Sequence, residues 1–208
     1  MTAGLRERKK HQTRLAISDI ATAMFATRGF DSVTISQVAE AAGVAKMTVT
    51  NYFPRKEDLV FDRAEAIVGG LAQTVSMRAP GESLLTAVRR DYAEAIARRD
   101  VALGFGGVEF TRMVENSPVL IARGREMLEQ REQALADAIA AETGTDDVLH
   151  RIVAAALASV HRVLYVEATR RGLAGEPGEQ IQAVLTAEAS RAFDLLEPSL
   201  GEYCVRGA

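Results

Sequence analysis

Between Gly43 and Pro54 the stretch "VAKMTVTNYF" sets Lys46, Met47, Thr48, Thr50 and Asn51 among Val49, Tyr52 and Phe53. The first group offers compact hydrogen-bond donors and acceptors, with threonine methyls that can meet a thymine methyl in a major groove. Local preference reads the stretch as a strand, because Thr, Val, Tyr and Phe favour a pleated surface. A strand here would have no partner strand elsewhere in the chain. As a helix, Val49, Tyr52 and Phe53 fall at i, i+3 and i+4 on one face, which leaves the polar group outward. Pro54 ends the segment. "RKEDL" then opens another helix, where Lys56 and free backbone N–H groups suit a phosphate oxygen.

Other reactive chemistry is sparse. His150 and His161 share a helix face but stand ~16 Å apart at 1.5 Å per residue, too far to share a metal. "GFGG" (104–107) follows no strand and so is no dinucleotide fingerprint. A single cysteine, Cys204, excludes intrachain disulfides and cysteine-rich zinc sites. No nucleophile motif, cofactor or metal is expected, and an enzyme is not indicated.

The elements that must carry the polar stretch can be read upstream of it. Ile17, Ile20, Ala21, Met24 and Phe25 mark the apolar face of a helix over 11–28, with Gly29 as its stop and Phe30 behind it. Thr34 and Gln37 have the spacing of a capping box. They start a second, two-turn helix whose inner face is Ile35, Val38, Ala39 and Ala42. Gly43 allows a tight turn, and Ala39 is small enough for the third helix to cross closely. The result is a helix-turn-helix.

The composition, 48% hydrophobic and 25% charged, is that of a soluble globular protein. Its net charge of −3 hides an asymmetry: residues 1–61 carry nine Lys/Arg against six Asp/Glu, and the remainder sixteen against twenty-two. The basic end can approach phosphates while the acidic bulk stays off them. The charged N-terminus is not a signal peptide, and the longest apolar run (152–160) is too short to cross a bilayer. A cytoplasmic location and no membrane association are expected.

The pattern "TRLAISDIATAMFATRGFDSVTISQVAEAAGVAKMTVTNYFPRKEDL" resembles the DNA-binding domain of the tetracycline-repressor (TetR) family. The resemblance implies an all-α fold: a three-helix DNA-binding domain, followed by a six-helix ligand-binding and dimerisation domain. It implies a homodimeric repressor released from a palindromic operator in double-stranded DNA by a small apolar or amphipathic effector. Position by position, Thr48, Thr50 and Asn51 would face bases or phosphates and Tyr52 a phosphate. Thr34 and Lys56 would anchor the backbone, and Arg6, Arg8, Lys9 and Lys10 would form a flexible basic arm. Lys46 and Met47 complete the outward face. Two positions depart from the family pattern: Ala45, where serine is common, and Thr50, where an aromatic, usually tyrosine, is common. That second departure keeps open an alternative, an all-helical ligand-binding or interaction protein with a drifted DNA module.

The domains are therefore expected at 1–55 and 56–200, with a tail at 201–208. Helices are read over 56–77, 82–99, 101–115, 118–142, 146–171 and 178–196. The last two carry more apolar face than one subunit needs. They supply Ala155, Ala158, Ser159, Val184, Leu185, Ala189 and Phe193 as a dimer surface, or else they close the monomer core. Pocket candidates are Tyr92, Phe105, Glu109, Phe110, Met113, Met127, His161 and Tyr165. Glu109 shares a predicted stripe with Phe105 and Met113, as a polar anchor or as a partner for Arg112. The glycines of "GFGG" weaken that helix, for bending or for close packing.

Overall fold

The computed structural model describes the backbone of residues 2–207 and the side chains of residues 7–207. Nine α-helices and two 3-10 turns make up its regular structure, and no strand occurs among the described residues. Two compact units emerge: residues up to 64 with 112–123, and residues 65–111 with 124 onward.

In the first unit α1 runs Thr2–Arg28, well ahead of the predicted start. The basic N-terminal segment is therefore helical, not a flexible arm. Its straight-chain Arg, Lys, Glu and Gln residues are good helix formers, and no Gly or Pro interrupts them after Gly4. Ile17, Ala21 and Phe25 are buried along its inner face. Gly29, at φ +79°, ends it, and Phe30 packs with its ring 5.2 Å from that of Phe25. α2 (Ile35–Ala41) opens on the predicted capping box, in which the Gln37 N–H donates to Thr34 Oγ1 at 3.3 Å and the Thr34 N–H to Gln37 Oε1 at 2.9 Å. Gly43 takes φ +65° at the turn. α3 (Lys46–Tyr52) follows, with Val49 and the next residue, Phe53, fully buried.

The helix expected over 56–77 is instead a 3-10 turn, Lys56–Leu59, and a separate α4, Ala64–Ser76. Side-chain bonds compete with the helix here. Asp58 accepts the Arg55 N–H at 3.0 Å and is paired with Arg123 at 3.0 Å. Asp62 accepts from Ser18 Oγ at 3.0 Å, and its carbonyl accepts from Arg14 at 2.7 Å.

The second unit is built on α5 (Leu84–Ala97), α7 (Pro118–Thr143) from residue 124 onward, α8 (Val148–Leu173) and α9 (Gly178–Leu200). Its core joins Val88, Tyr92 and Ile96 to Leu135, Leu157, Leu164, Leu185 and Phe193. The backbones of α5, α8 and α9 approach one another closely, while α7 stands further out. By length and composition α8 could cross a bilayer. It serves instead as a core helix, with Val153, Leu157, Val160, Leu164 and Ala168 buried against its neighbours.

The helix expected over 101–115 is also broken. A 3-10 turn, Val101–Leu103, precedes "GFGG", and only then does α6 (Val108–Glu115) begin. Gly104 and Gly107 take φ +96° and +90°, which a right-handed helix cannot contain. A Cβ at Gly104 would lie 2.6 Å from Ala168 Cβ, so this glycine serves close packing on α8.

Candidate nucleic-acid interface

The recognition surface is made by what α3 does not bury. Val49 and Phe53 hold the helix to the first unit, and Arg14 of α1 places its guanidinium 4.9 Å from the centre of the Phe53 ring. Lys46, Met47 and Asn51 stand exposed, Met47 at 70%, while Thr48, Thr50 and Tyr52 are half-buried. A 70% exposed methionine on a well-packed helix is an apolar group whose one side-chain contact is local, from the Thr50 hydroxyl to its sulfur at 3.8 Å. The short polar side chains around it offer donors and acceptors on one face of a helix narrow enough for a major groove.

Thr50 donates its hydroxyl proton back into its own helix, to Met47 O at 3.1 Å. What it presents outward is an acceptor oxygen and a methyl, where an aromatic is common. Ala45 sits in the extended geometry of an N-cap, φ −70° and ψ 147°, with no side-chain cap bond. Thr34 is exposed but its hydroxyl is engaged by the capping box.

Lys56 differs from expectation in its surroundings. It belongs to a four-residue 3-10 turn, and its ammonium lies 4.1 Å from the Phe30 ring centre and 6.0 Å from that of Phe25. Partial burial against those rings pulls its pKa below the usual lysine value, opposed by Asp31 and Glu57. Arg8, Lys9 and Lys10 are exposed along the first turns of α1. Arg6 falls outside the residues whose side chains are described.

Sequence patterns did not reveal what positions this surface. Arg14 and Ser18 fasten α1 to Asp62, and Arg123 grips Asp58 across 65 positions of sequence. Pairings of that separation leave no periodic signal.

The other candidates lie mostly in the second unit. Tyr92, Met127 and His161 are buried, and Phe105, Phe110 and Tyr165 are half-buried. Glu109 is exposed, so it does not anchor an apolar cavity; the stripe it was to share is broken where "GFGG" leaves the helix. Met113 belongs to the first compact unit. Arg131, which the pocket reading missed, donates to His161 Nδ1 at 2.9 Å. Its signal was present: a cation one turn from Met127 and one turn from Leu135 interrupts an otherwise buried apolar stripe on α7.

Of the proposed dimer residues, Ala155, Ala158, Ser159 and Val184 are half-buried. Leu185, Ala189 and Phe193 are not on a free surface: their i, i+4, i+8 stripe closes the chain's own core. The large exposed apolar side chains of these two helices are Val148, Leu149, Ile152, Val163 and Val166 on α8 and Leu195 on α9. Among the described residues no cluster of three His, Cys, Asp or Glu side chains could hold a metal.

Comparison with known proteins bears on the same segments. A family model described as bacterial regulatory proteins, tetR family, matches residues 17–62. TcmR of Streptomyces glaucescens, an HTH-type transcriptional regulator, is 31% identical over 205 residues, covering 95% of this chain and 88% of that protein. AcrR of Shigella flexneri, also an HTH-type regulator, is 28% identical over 81 residues, 38% of each chain. Among solved structures, NalD of Pseudomonas aeruginosa superposes with a TM-score of 0.51 at 17% identity, covering 89% of this chain and 97% of that one. A TetR-family regulator from Streptomyces coelicolor A3 gives 0.50 at 21% identity, over 88% and 96%. These two share the fold. The matched stretch contains α2, α3 and the Lys56–Leu59 turn whole, and the likeness to TcmR continues through the helical remainder. The chain belongs to the tetR family of bacterial regulatory proteins and is a helix-turn-helix transcriptional regulator, not an enzyme.

Proposed function

We propose that the protein is a homodimeric repressor, acting in the cytoplasm, that holds a palindromic operator until a small apolar or amphipathic effector releases it. The first unit carries the DNA contacts, through Lys46, Met47, Thr48, Thr50, Asn51 and Tyr52, with Arg8, Lys9 and Lys10 contributing charge along α1. The second unit takes the effector near Tyr92, Met127 and His161, with Phe105, Phe110 and Tyr165 partly exposed, and pairs with a second copy through α8 and α9. The observation that carries this reading is the outward face of α3, a polar set around a 70% exposed methionine on a helix fixed from behind. The intact capping box and the fully buried Val49 and Phe53 speak against a drifted module.

Two such helices, one per subunit, reach successive major grooves about 34 Å apart. An effector that binds better to the subunit arrangement with the wrong spacing then empties the operator, by as much as its affinity differs between the two states. Fluorescence anisotropy with DNA from upstream of the protein's own coding sequence tests the reading. Saturable binding that weakens steeply with salt is expected. Binding that neither saturates nor responds to salt would sink it.

A further inference from the structure

Between α5, α7 and α8 three buried donors lack an acceptor: Arg131 Nε, His161 Nε2 and the Tyr92 hydroxyl. They form one group. Arg131 donates to His161 Nδ1 at 2.9 Å, and the Tyr92 and His161 rings meet edge-on with centroids 4.6 Å apart. Because Nδ1 accepts from a guanidinium, the His161 proton resides on Nε2, and the imidazole is neutral. Burial and the neighbouring Arg131 both hold its pKa well below 6.5. The group therefore has one fixed positive charge and no acceptor for its spare protons.

The charge is not compensated at contact range. Burial draws the Arg131 pKa down to about 10, against the opposing influence of Asp91 and Tyr92. Asp91 feels the guanidinium without forming an ion pair with it, and its own pKa is raised, chiefly by burial. Along α7 the residues one turn either side of Arg131, Met127 and Leu135, are buried and apolar. The Tyr92 ring also packs against Phe193, at 6.0 Å between centroids. A cation and three orphan donors inside an apolar wall are complementary to an acidic oxygen attached to an apolar body.

We propose that Arg131, with His161 and Tyr92, is the headgroup site of the effector, and that the effector carries a carboxylate or an equally acidic oxygen. This rests on the effector-release reading above and names the chemical class of the effector. Admitting such a molecule parts α7 from α5 and α8, and the backbone of α7 approaches neither of them as closely as they approach each other.

The test uses the full-length protein and two probe pairs, decanoate and 2-naphthoate, each beside its methyl ester, titrated by calorimetry. The acids bind the wild type about 10-fold or more tightly than their esters, the scale of one charge-assisted contact. In Arg131→Met that ratio falls to about 1. The same variant, without ligand, melts at or above the wild-type temperature, because a half-buried cation without an ion pair has been replaced by an apolar chain of similar length. Equal acid and ester binding to the wild type, including none of either, overturns the proposal. So does a lower melting temperature in Arg131→Met, which would mark the arginine as structural. Operator release is read separately. Acids that bind yet leave the operator occupied would overturn effector release and leave the site standing. Esters that release it as well as the acids would overturn the site alone.

Discussion

Arg78 donates from a fully buried guanidinium to both oxygens of Glu142, at 2.6 and 2.7 Å, and to the carbonyls of Val75, Glu82 and Cys204, at 2.5, 3.1 and 2.7 Å. One side chain thereby ties the end of α4, the start of α5, the end of α7 and the C-terminal tail. Removing it strands these acceptors, although Glu142, at 36% side-chain exposure, can recover some hydration. Arg78→Met is expected to cost about 3 kcal/mol in urea unfolding. The hydrogen bond from Arg78 holds the Glu142 pKa below 4.5, against the opposing effect of burial. A carboxylate depressed in the folded state contributes stability above its unfolded pKa, and that contribution fades as pH falls through the folded value. Arg78→Met should therefore lose stability less steeply than the wild type between about pH 5 and pH 3. Equal acid slopes would contradict this account. On α3 the hydroxyl of Thr50 is committed to Met47 O, while the exposed Asn51 has no hydrogen bond to its side-chain amide among the described residues. Asn51→Ala should weaken operator binding by about 1–3 kcal/mol, the scale of a base contact. Thr50→Ala, which removes an acceptor and a methyl, should cost less. Anisotropy titration ranks the two.

Whole elements are governed here by a few backbone positions. Gly104 and Gly107 share a positive φ but not an environment: one faces Ala168 at 2.6 Å from an added Cβ, the other has open space. Gly107→Ala should cost only the left-handed strain, about 1–2 kcal/mol. Gly104→Ala adds a clash with α8 and should cost about 1–3 kcal/mol more. Chemical denaturation of both separates strain from packing, and equal losses would mean α8 yields without cost. These glycines also explain which elements were legible. The periodicity of α2 and of the long helices α7, α8 and α9 was plain, because each buries an apolar face, interrupted on α7 at Arg131. The breaks at 56–63 and 104–107 were not. The first is made by Asp58 and Asp62 bonding to distant Arg123, Arg14 and Ser18; the second is made by two left-handed glycines whose composition reads as a weak helix. The outward residues of α3 were readable from one turn of spacing. The Arg131–His161 contact joins two helices 30 positions apart, and no local pattern carries that information.

At the scale of the whole molecule, the question is which surface a second copy would cover. Burial settles half of it. Leu185, Ala189 and Phe193 are already spent on the core of their own subunit, so a partner gains nothing from them. Ile152, Val163 and Val166 repeat on one side of α8, at spacings of eleven and three, and Leu195 on α9 is 80% exposed. Apolar side chains displayed on two neighbouring long helices are the kind of surface that a symmetric copy buries. Leu195→Glu puts a charge where the monomer makes little contact, so helicity and monomer folding should persist. The charge would meet its own symmetry mate or an apolar neighbour across the interface, and either opposes association. Light scattering after gel filtration should then report a shift from dimer to monomer at micromolar protein. Operator affinity should fall about 100-fold or more, because two linked half-site contacts become one. Leu185→Glu provides the contrast: it buries a charge in the core and should unfold the second unit instead of splitting the dimer. A Leu195→Glu protein that stayed dimeric and held the operator as tightly as the wild type would move the interface away from this face.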